Sequence, residues 1–438
     1  MMVKELGRVR VGVLGAGNVG AALIGLLLED SDAIEARSGV RLELAGVSVK
    51  DPTRRRPGIP GELVFEDAKA LVTDPTVDIV VELIGGTDVA RELGEAALDA
   101  RKPLVTANKE LIAEHGAALA DAAAKAGVDL FYEAAVAGAI PIIRPLRESL
   151  AGERVRRVMG IVNGTTNFIL TTMSEQGLSY TQALAEAQRL GFAERDPTAD
   201  VDGHDAAAKA AILASLAFRC EVVASEVARE GISSVGSADI DVATRLGYVI
   251  KLLAVAERLE SHDDARPEVS VRVHPAMLPR THPLAAVRGA FNAVFVEGEA
   301  AGELMLYGRG AGGRPTASAV LGDLIDAAHH LRAGFSARPI PRVRAQMHPS
   351  EDLMSAWYLN MDVADRPGVL AAVASVFGEH GVSIRSMEQV GMRDEARLIF
   401  VTHVARQGDF MKTLEGLRTL DAVEHIGGVL RIVGDEEP

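Results

Sequence analysis

Positions 15–20 of the sequence read GAGNVG, a glycine-rich turn that closes the strand-like run VRVGVL and opens a helix-like run rich in Ala and Leu. Glycines at such a turn allow a tight bend, close approach of the backbone to a pyrophosphate and close packing of helix on strand. The first N–H groups of the helix would face the phosphates. The candidate dinucleotide-binding residues of this turn are Gly15, Gly17, Asn18, Val19 and Gly20.

The same alternation continues from Arg8 to Ala107, where short β-branched runs such as LELAGVSV, IVVELIG and LVTA are separated by helical stretches. Strands that alternate with helices in this way are typical of βαβ units and of a parallel sheet. We therefore predict an α/β fold, with a doubly wound Rossmann sheet over residues 1–140. Residues from about 305 to 330 are expected to complete this domain.

The pattern changes twice beyond residue 140. Residues 141–330 combine longer helices with the strand-like runs VSVRVH and FNAVFVEGE, which predicts a second, α+β domain. Residues 331–352 are rich in Pro, Arg and polar residues and are interpreted as a linker. Residues 353–438 follow the order βαββαβ, which predicts a ferredoxin-like module. The longer helices of the second domain are predicted at Tyr180–Leu190, Asp205–Phe218 and Asp241–Leu259.

Charge and composition restrict the partners of such a chain. A net charge of −15 argues against nucleic acid and anionic membranes, because both require a surplus of Lys and Arg, so a small-molecule ligand is expected. The single cysteine, Cys220, excludes an internal disulfide framework and suits a reducing compartment. No run approaches the roughly 18 apolar residues of a membrane span, and no signal segment precedes the glycine turn. A cytoplasmic protein is expected.

The loop after the second strand bears on which nicotinamide dinucleotide binds. Lys50 and Arg54 lie where cations would accept a 2′-phosphate, which favours NADP(H). Asp51 lies where a carboxylate would bind ribose hydroxyls, so NAD(H) stays possible.

Two lysines are candidates for catalysis. Lys109 follows the strand-like PLVTA run and would border the ligand crevice at the carboxyl edge of the sheet. Lys209 lies four residues after Asp205, on one face of a nearly apolar helix that follows an acidic loop containing Glu194 and Asp200. A partly desolvated lysine whose charge is held by a carboxylate can exchange a proton with a substrate. A pair of this kind on a solvated helix face would have no such role.

Two smaller motifs are less specific. Gly164 and Thr165 lie in the NGTTN turn, which could present N–H and hydroxyl groups to a carboxylate. The run from Glu133 to Ile140 joins the first two domains, and its small residues would let bare carbonyls converge on a hard cation, although simple packing explains them too.

Together these stretches resemble the homoserine dehydrogenase family over about residues 9–318. The matching runs are GAGNVG, VELIGG, TANK, EAAVAGAIPII, NGTTNFIL, GFAERDPTADVDGHDAAAKAAILA, THPLAAVRGAFNAVFVEGE and YGRGAGGRPTASAV. The resemblance implies reversible, NAD(P)H-dependent reduction of L-aspartate 4-semialdehyde to L-homoserine, a step in the formation of threonine, methionine and isoleucine. It also implies a homo-oligomer, a dimer or tetramer, in which residues 141–330 serve catalysis and dimerisation.

The resemblance also implies roles for single residues. Lys209 would be the proton donor in reduction, with Lys109 as the second catalytic lysine and Asp205 beside them. Homoserine would contact the substrate-binding residues Gly164, Thr165, Glu194 and Asp200. A monovalent cation, sodium, would bind the carboxylate of Glu133 and the carbonyls of Val136, Gly138 and Ile140. Gly310, in the GRGAGG turn, would contact the nicotinamide cofactor, as would Lys109.

The third unit resembles an ACT domain, most clearly in the runs DRPGVL at 365–370 and GVSI at 381–384. Such domains bind regulatory amino acids near the turn after their first strand, so an amino-acid effector and feedback inhibition by threonine are expected. Two alternatives stay open: a Rossmann dehydrogenase acting on another amino-acid aldehyde, and a non-catalytic amino-acid sensor. The sensor has no use for GAGNVG together with the Asp205 and Lys209 pair.

Overall fold

The computed structural model of the chain describes residues 7–51, 56, 58–259, 266–336, 343–392 and 395–434. The first sheet is formed by β1 (Val9–Leu14), β2 (Leu42–Ser48), β3 (Val64–Phe65), β4 (Ile79–Glu82), β5 (Leu104–Thr106) and β6 (Leu130–Phe131). These strands are parallel and are arranged β3-β2-β1-β4-β5-β6. The direction of winding reverses between β1 and β4, where doubly wound sheets bind dinucleotides. The predicted Rossmann sheet is confirmed.

Helices cover both faces of this sheet. They are α1 (Asn18–Glu29), α2 (Ser31–Ser38), α3 (Ala68–Thr73), α4 (Asp88–Asp99) and α5 (Lys109–Ala126). The strands are buried on both sides because one face packs against α1 and the other against α3, α4 and α5. This burial explains the continuous apolar character of β1 and β4.

The second unit contains a mixed sheet with helices on one face. Its helices are α6 (Gly164–Gln176), α7 (Tyr180–Arg189), α8 (Thr198–Val201), α9 (His204–Ala217) and α10 (Ser237–Arg245), and α11 (Gly313–Ala333) follows its last long strand. Its strands are β7 (Val155–Ile161), β8 (Cys220–Glu221), β9 (Ala228–Arg229), β10 (Tyr248–Arg258), β11 (Glu268–Pro279), β12 (Phe291–Gly298) and β13 (Gly302–Arg309). The long strands are antiparallel in the order β13-β12-β7-β10-β11. Helix α9 lies buried against β10 and β11, and α11 returns to pack beside α1.

The predicted helix at Asp241–Leu259 is wrong. Helix α10 ends at Arg245, Gly247 reverses the chain with a φ of 85°, and the following apolar run forms the strand β10. Seven consecutive residues of β10 are buried because both faces of the sheet are covered there. A fully buried strand lacks the alternation that distinguishes a strand from a buried helix, which explains the error.

The segment interpreted as a linker contains regular structure at both ends. Helix α11 extends to Ala333, and two short strands follow, β14 (Val343–Arg344) and β15 (Gln346–Met347). The first pairs with β8 and the second with β11, so this part of the chain runs along the second unit.

The third unit is formed by β16 (Met354–Ala364), α12 (Val369–Glu379), β17 (Ile384–Met392), β18 (Glu395–Thr402), β19 (Ala405–Arg406), α13 (Gln407–Arg418) and β20 (Val423–Ile432). The strand order β20-β16-β18-β17 is that of a ferredoxin-like fold, as predicted. Strand β20 also pairs in parallel with β11 through Ala276 with Arg431 and Met277 with Ile432. The second and third units therefore share one continuous sheet. In the described ranges, every helix is too short or too polar to span a membrane.

Candidate active site

The glycine turn after β1 has the shape that a dinucleotide requires. Gly15 has a φ of 99°, and a Cβ atom there would lie 2.6 Å from the carbonyl oxygen of Leu83. A Cβ on Gly20 would lie 2.2 Å from the carbonyl oxygen of Gly15, so only glycine lets α1 approach β1 this closely. Helix α1 begins at Asn18, and no side chain caps it. Its N-terminus is thus open to phosphate groups, and the residues present fit a dinucleotide.

A buried acid at the end of β4 holds the neighbouring loops. The carboxylate of Glu82 accepts the N–H groups of Ile84 and Gly85 at 2.8 and 3.2 Å and the hydroxyl of Thr106 at 2.6 Å. The Asn108 amide in turn donates to the carbonyl of Gly86 at 2.7 Å. This network fixes the VELIGG and TANK runs at the crevice. We did not predict this network, although a single acid that closes the apolar run IVVE was the available signal.

Asp205 lies between the two predicted catalytic lysines. Its Oδ1 atom is 2.6 Å from Nζ of Lys109, at the start of α5, and its Oδ2 atom is 2.7 Å from Nζ of Lys209. The carboxylate is 5% exposed, the Lys209 side chain 12% and the Lys109 side chain 36%. The two lysines come from different domains and meet at one buried carboxylate. Lys109 is the more open of the two toward the crevice.

Asp205 and Lys109 stabilise each other's ionised form. Burial would raise the pKa of the Asp205 carboxyl, but the ammonium groups of Lys209 and Lys109 outweigh burial and hold that pKa below its ordinary value. Burial would lower the pKa of Lys109, but the charge and hydrogen bond of Asp205 raise it above its ordinary value. Asp205 therefore stays ionised and keeps Lys109 protonated at neutral pH.

The turn between β7 and α6 meets this cluster from the other side. The carbonyl of Val162 accepts a hydrogen bond from Nζ of Lys209 at 2.8 Å. The side-chain amide of Asn163 donates to Asp200 at 2.7 Å and to Asp205 at 2.9 Å. The predicted substrate residue Asp200 thus lies beside the two lysines.

The other predicted substrate residues lie around the same turn. Gly164 and Thr165 form the first turn of α6 rather than a free loop, so their N–H groups belong to a helix N-terminus. The Thr165 hydroxyl donates to the carbonyl of Phe192 at 2.7 Å, which ties α6 to the acidic loop. Glu194, in that loop, is exposed.

Gly310 lies where three segments meet. A Cβ there would come within 2.0 Å of the Asn292 amide, and the Gly310 carbonyl would meet a Cβ on Gly138 at 2.4 Å. Three residues further on, a Cβ on Gly313 would lie 2.8 Å from the carbonyl of Asn18. The GRGAGG turn therefore connects the start of α1 to the region of the predicted cation ligands.

The predicted cation ligands follow β6. Glu133 is buried, and its carboxylate accepts the N–H groups of Ile143 and Arg144 at 2.7 and 2.9 Å, while burial raises its pKa. Its N–H donates to Asp323 at 2.8 Å, and burial raises the pKa of Asp323 to about 8. Val136 and Ile140 are also buried, and Gly138 has a φ of 58°.

The loop expected to discriminate between cofactors is described only in part. Lys50 is exposed just beyond β2. Arg54 lies outside the described residues.

Comparisons with known proteins cover almost the whole chain. Residues 15–133 match the family described as homoserine dehydrogenase, NAD binding domain, residues 141–325 match homoserine dehydrogenase, and residues 357–421 match the ACT domain. The homoserine dehydrogenase of Corynebacterium glutamicum is 51% identical, with 98% of this chain and 96% of that protein covered. The chain belongs to the homoserine dehydrogenase family. It functions as an oxidoreductase of the homoserine dehydrogenase type, and it contains an NAD(P)-binding domain.

Further relatives agree with this family membership. The homoserine dehydrogenase of Mycobacterium tuberculosis is 50% identical, with 97% of this chain and 98% of that protein covered. A crystal structure of the enzyme from Thiobacillus denitrificans superposes with a TM-score of 0.90 at 38% identity, covering 97% and 98% of the two chains. A hyperthermophilic archaeal homoserine dehydrogenase, solved in complex with NADPH, has a TM-score of 0.63 at 29% identity and covers 76% of this chain and 100% of its own.

The ACT domain of this family member has an open cavity of about 390 Å³ at the turn between β16 and α12. The cavity is lined by Asp365 to Leu370 and by Gln389 from β17. This is the turn expected to bind an amino acid, so the domain is built to take an effector.

Proposed function

We propose that this chain catalyses the reversible reduction of L-aspartate 4-semialdehyde to L-homoserine with NAD(P)H, a step in threonine, methionine and isoleucine biosynthesis. The observation that carries the proposal is the buried carboxylate of Asp205 between Nζ of Lys109 and Nζ of Lys209. This pair of cations lies at the carboxyl edge of a dinucleotide-binding sheet, where a carbonyl group would be reduced.

Each lysine has a separate role in this reaction. The bound nicotinamide supplies the hydride that the aldehyde carbon accepts. Lys209 donates a proton to the aldehyde oxygen as negative charge develops there, and Lys109 stabilises that charge electrostatically. Asp205 holds both ammonium groups in place and keeps Lys109 charged, and the Val162 carbonyl fixes the position of Nζ of Lys209. In the reverse direction, Lys209 accepts the hydroxyl proton of homoserine.

The charged ends of the amino acid find complementary groups nearby. The N–H groups of Gly164 and Thr165, at the N-terminus of α6, suit the substrate carboxylate. The carboxylates of Asp200 and Glu194 suit its ammonium group. A substrate held at both ends would present its aldehyde to the lysine pair.

The dinucleotide is held by the glycine turn, with Gly310 and Lys109 on the nicotinamide side. We propose NADP(H) as the favoured cofactor because Lys50, with Arg54, supplies positive charge beyond β2. The archaeal relative solved with NADPH supports the same preference. NAD(H) stays a possible second cofactor.

We also propose a sodium ion at Glu133, bound with the carbonyls of Val136, Gly138 and Ile140. The backbone N–H of Glu133 donates to the buried carboxyl of Asp323, and the charge of Glu133 adds to the effect of burial in raising the pKa of Asp323, so a cation would offset the charge of these two acids. The ion would stiffen the segment that packs against Gly310 and so would support the cofactor side of the site.

Inhibition by threonine through the ACT domain is a further part of the proposal. Arg431 in β20 forms a 2.7 Å ion pair with Glu230, and the next residue, Gly231, packs against the carbonyl of Val201 at the end of α8. The ACT domain is thus joined to the helix that carries Asp200.

We propose that the chain acts as a homo-oligomer, a dimer or tetramer, with its domains divided at residues 140, 330 and 352.

The proton-donor assignment is tested by Lys209→Ala. Turnover should fall on the order of 100-fold or more, because general-acid catalysis contributes 10²- to 10⁴-fold. Lys125→Ala, at an exposed lysine in the last turn of α5, is the matched control and should retain wild-type turnover. Near-normal turnover of a folded Lys209→Ala variant would contradict the mechanism.

A further inference from the structure

The side chain of Asn163 has one orientation that satisfies its neighbours. It caps α6, and its Oδ1 atom accepts the N–H of Thr166 at 2.9 Å and the Thr166 hydroxyl at 3.0 Å. Because an N–H can only donate, the carbonyl end of the amide must face Thr166. The NH₂ end is therefore directed away from the helix.

That NH₂ end has two carboxylates as partners. It donates to Oδ1 of Asp200 at 2.7 Å and to Oδ2 of Asp205 at 2.9 Å, so both of its hydrogens are used. Asn163 is buried at 5% exposure, which means that water does not readily replace these bonds. One amide therefore joins the starts or ends of three helices: α6, α8 and α9.

This position links the two halves of the site. The residue before Asn163 accepts a hydrogen bond from Nζ of Lys209, and the two residues after it form the proposed carboxylate-binding turn. Asp205, in turn, contacts both lysines. A displacement of Asn163 would move the substrate turn relative to the proton donor.

We propose that Asn163 is a positioning residue that sets the carboxylate of Asp205 against the lysine pair and fixes Asp200 beside the substrate. It acts through these carboxylates and does not itself touch the reacting atoms. The inference rests on the proposed homoserine dehydrogenase reaction and adds a residue to which that reaction assigns no role.

Two substitutions of Asn163 distinguish a positioning role from a role in helix capping alone. Serine and aspartate are as good as asparagine at helix N-caps, so Asn163→Ser and Asn163→Asp both preserve the start of α6. Serine lacks the amide donors and is too short to reach both carboxylates. Aspartate keeps the acceptor for Thr166 but places an oxygen, and a negative charge, against the two acids.

The charged groups around Asn163 determine the direction in which its replacement should move the pH profile of kcat/KM. They are Lys109 and the nearby Glu110 on α5, Asp200 on α8, and Asp205 and Lys209 on α9. An added negative charge favours the protonated form of Lys109, so in Asn163→Asp the basic limb of the kcat/KM profile for reduction should move to higher pH. In Asn163→Ser, kcat/KM should fall about 10- to 100-fold, as expected for a misplaced catalytic group.

The experiment measures kcat, KM and their pH dependence with aspartate semialdehyde for the full chain and three variants. Ser179→Ala is the control, because Ser179 caps α7 in the same domain without contacting the lysine cluster. It should leave the kcat/KM profile unchanged. If the wild type shows no activity, the proposed function fails and this inference fails with it. If the wild type is active and both Asn163 variants keep its kcat/KM and its profile, Asn163 is only a helix cap and the inference alone is overturned.

Discussion

Replacement of Asp205 by asparagine removes the one negative charge that Lys109 and Lys209, the two proposed catalytic lysines, share. The side chain keeps its size, but an amide now faces two ammonium groups whose Nζ atoms were 2.6 and 2.7 Å from carboxylate oxygens. Because Asp205 raises the pKa of Lys109 against the effect of burial, its loss leaves only the weaker charges of Glu110 and Asp200 to oppose burial, and the pKa of Lys109 falls.

The size of the effect follows from these distances. Coulomb's law gives roughly 6 kcal/mol for each pair at an effective dielectric constant of about 20, before desolvation is counted. Removal of one partner from a buried ion pair costs less in practice, about 3–5 kcal/mol. The loss favours the neutral form of Lys109, so the pKa of Lys109 falls below its value in the wild type.

The assay is the pH profile of kcat/KM for aldehyde reduction. In the proposed mechanism, reduction requires protonated Lys109, so activity is lost as the pH rises through the pKa of Lys109, and the basic limb of Asp205→Asn should move to lower pH. Asp202→Asn removes the same charge from an exposed position in the same loop and should leave the limb in place. A basic limb that is unchanged in Asp205→Asn would refute the proposed charge coupling.

Three other variants test separate parts of the site. Gly20→Ala places a Cβ 2.2 Å from the Gly15 carbonyl, so the KM for the dinucleotide should rise about tenfold or more, as measured by cofactor titration at saturating aldehyde; an unchanged KM would contradict the role of the turn. Wild-type activity should fall when sodium is replaced by choline, and Glu133→Gln should remove that difference; equal sodium dependence in both proteins would exclude Glu133 as a ligand. Glu230→Gln should weaken inhibition by threonine with little change in uninhibited turnover, and an unaltered inhibition curve would exclude the Arg431 contact as the connection.

Local signals were sufficient for much of the fold and site. Gly20 is required by its contact with the carbonyl of Gly15, which lies within the same turn, so the turn and its helix could be predicted from sequence. The four-residue separation of Asp205 and Lys209 likewise fixed their contact, because residues at that spacing share a helix face. The βαββαβ order predicted the ferredoxin-like unit because each of its elements could be identified from local sequence.

Contacts between distant segments could not be predicted in this way. Nothing near Lys109 in the sequence shows that its partner is Asp205, because the contact depends on how two domains pack. The amide bridge from Asn163 to Asp200 depends on three helix ends meeting. The pairing of β11 with β20, which joins the ACT domain to the catalytic sheet, leaves no periodic signal in either strand.

The proposed reduction is measured directly by incubating the purified chain with L-aspartate 4-semialdehyde and either NADPH or NADH. We expect oxidation of the nicotinamide that requires the aldehyde and yields L-homoserine in equal amount, faster with NADPH than with NADH. Absence of nicotinamide oxidation with both NADPH and NADH would contradict the proposed reduction of aspartate semialdehyde.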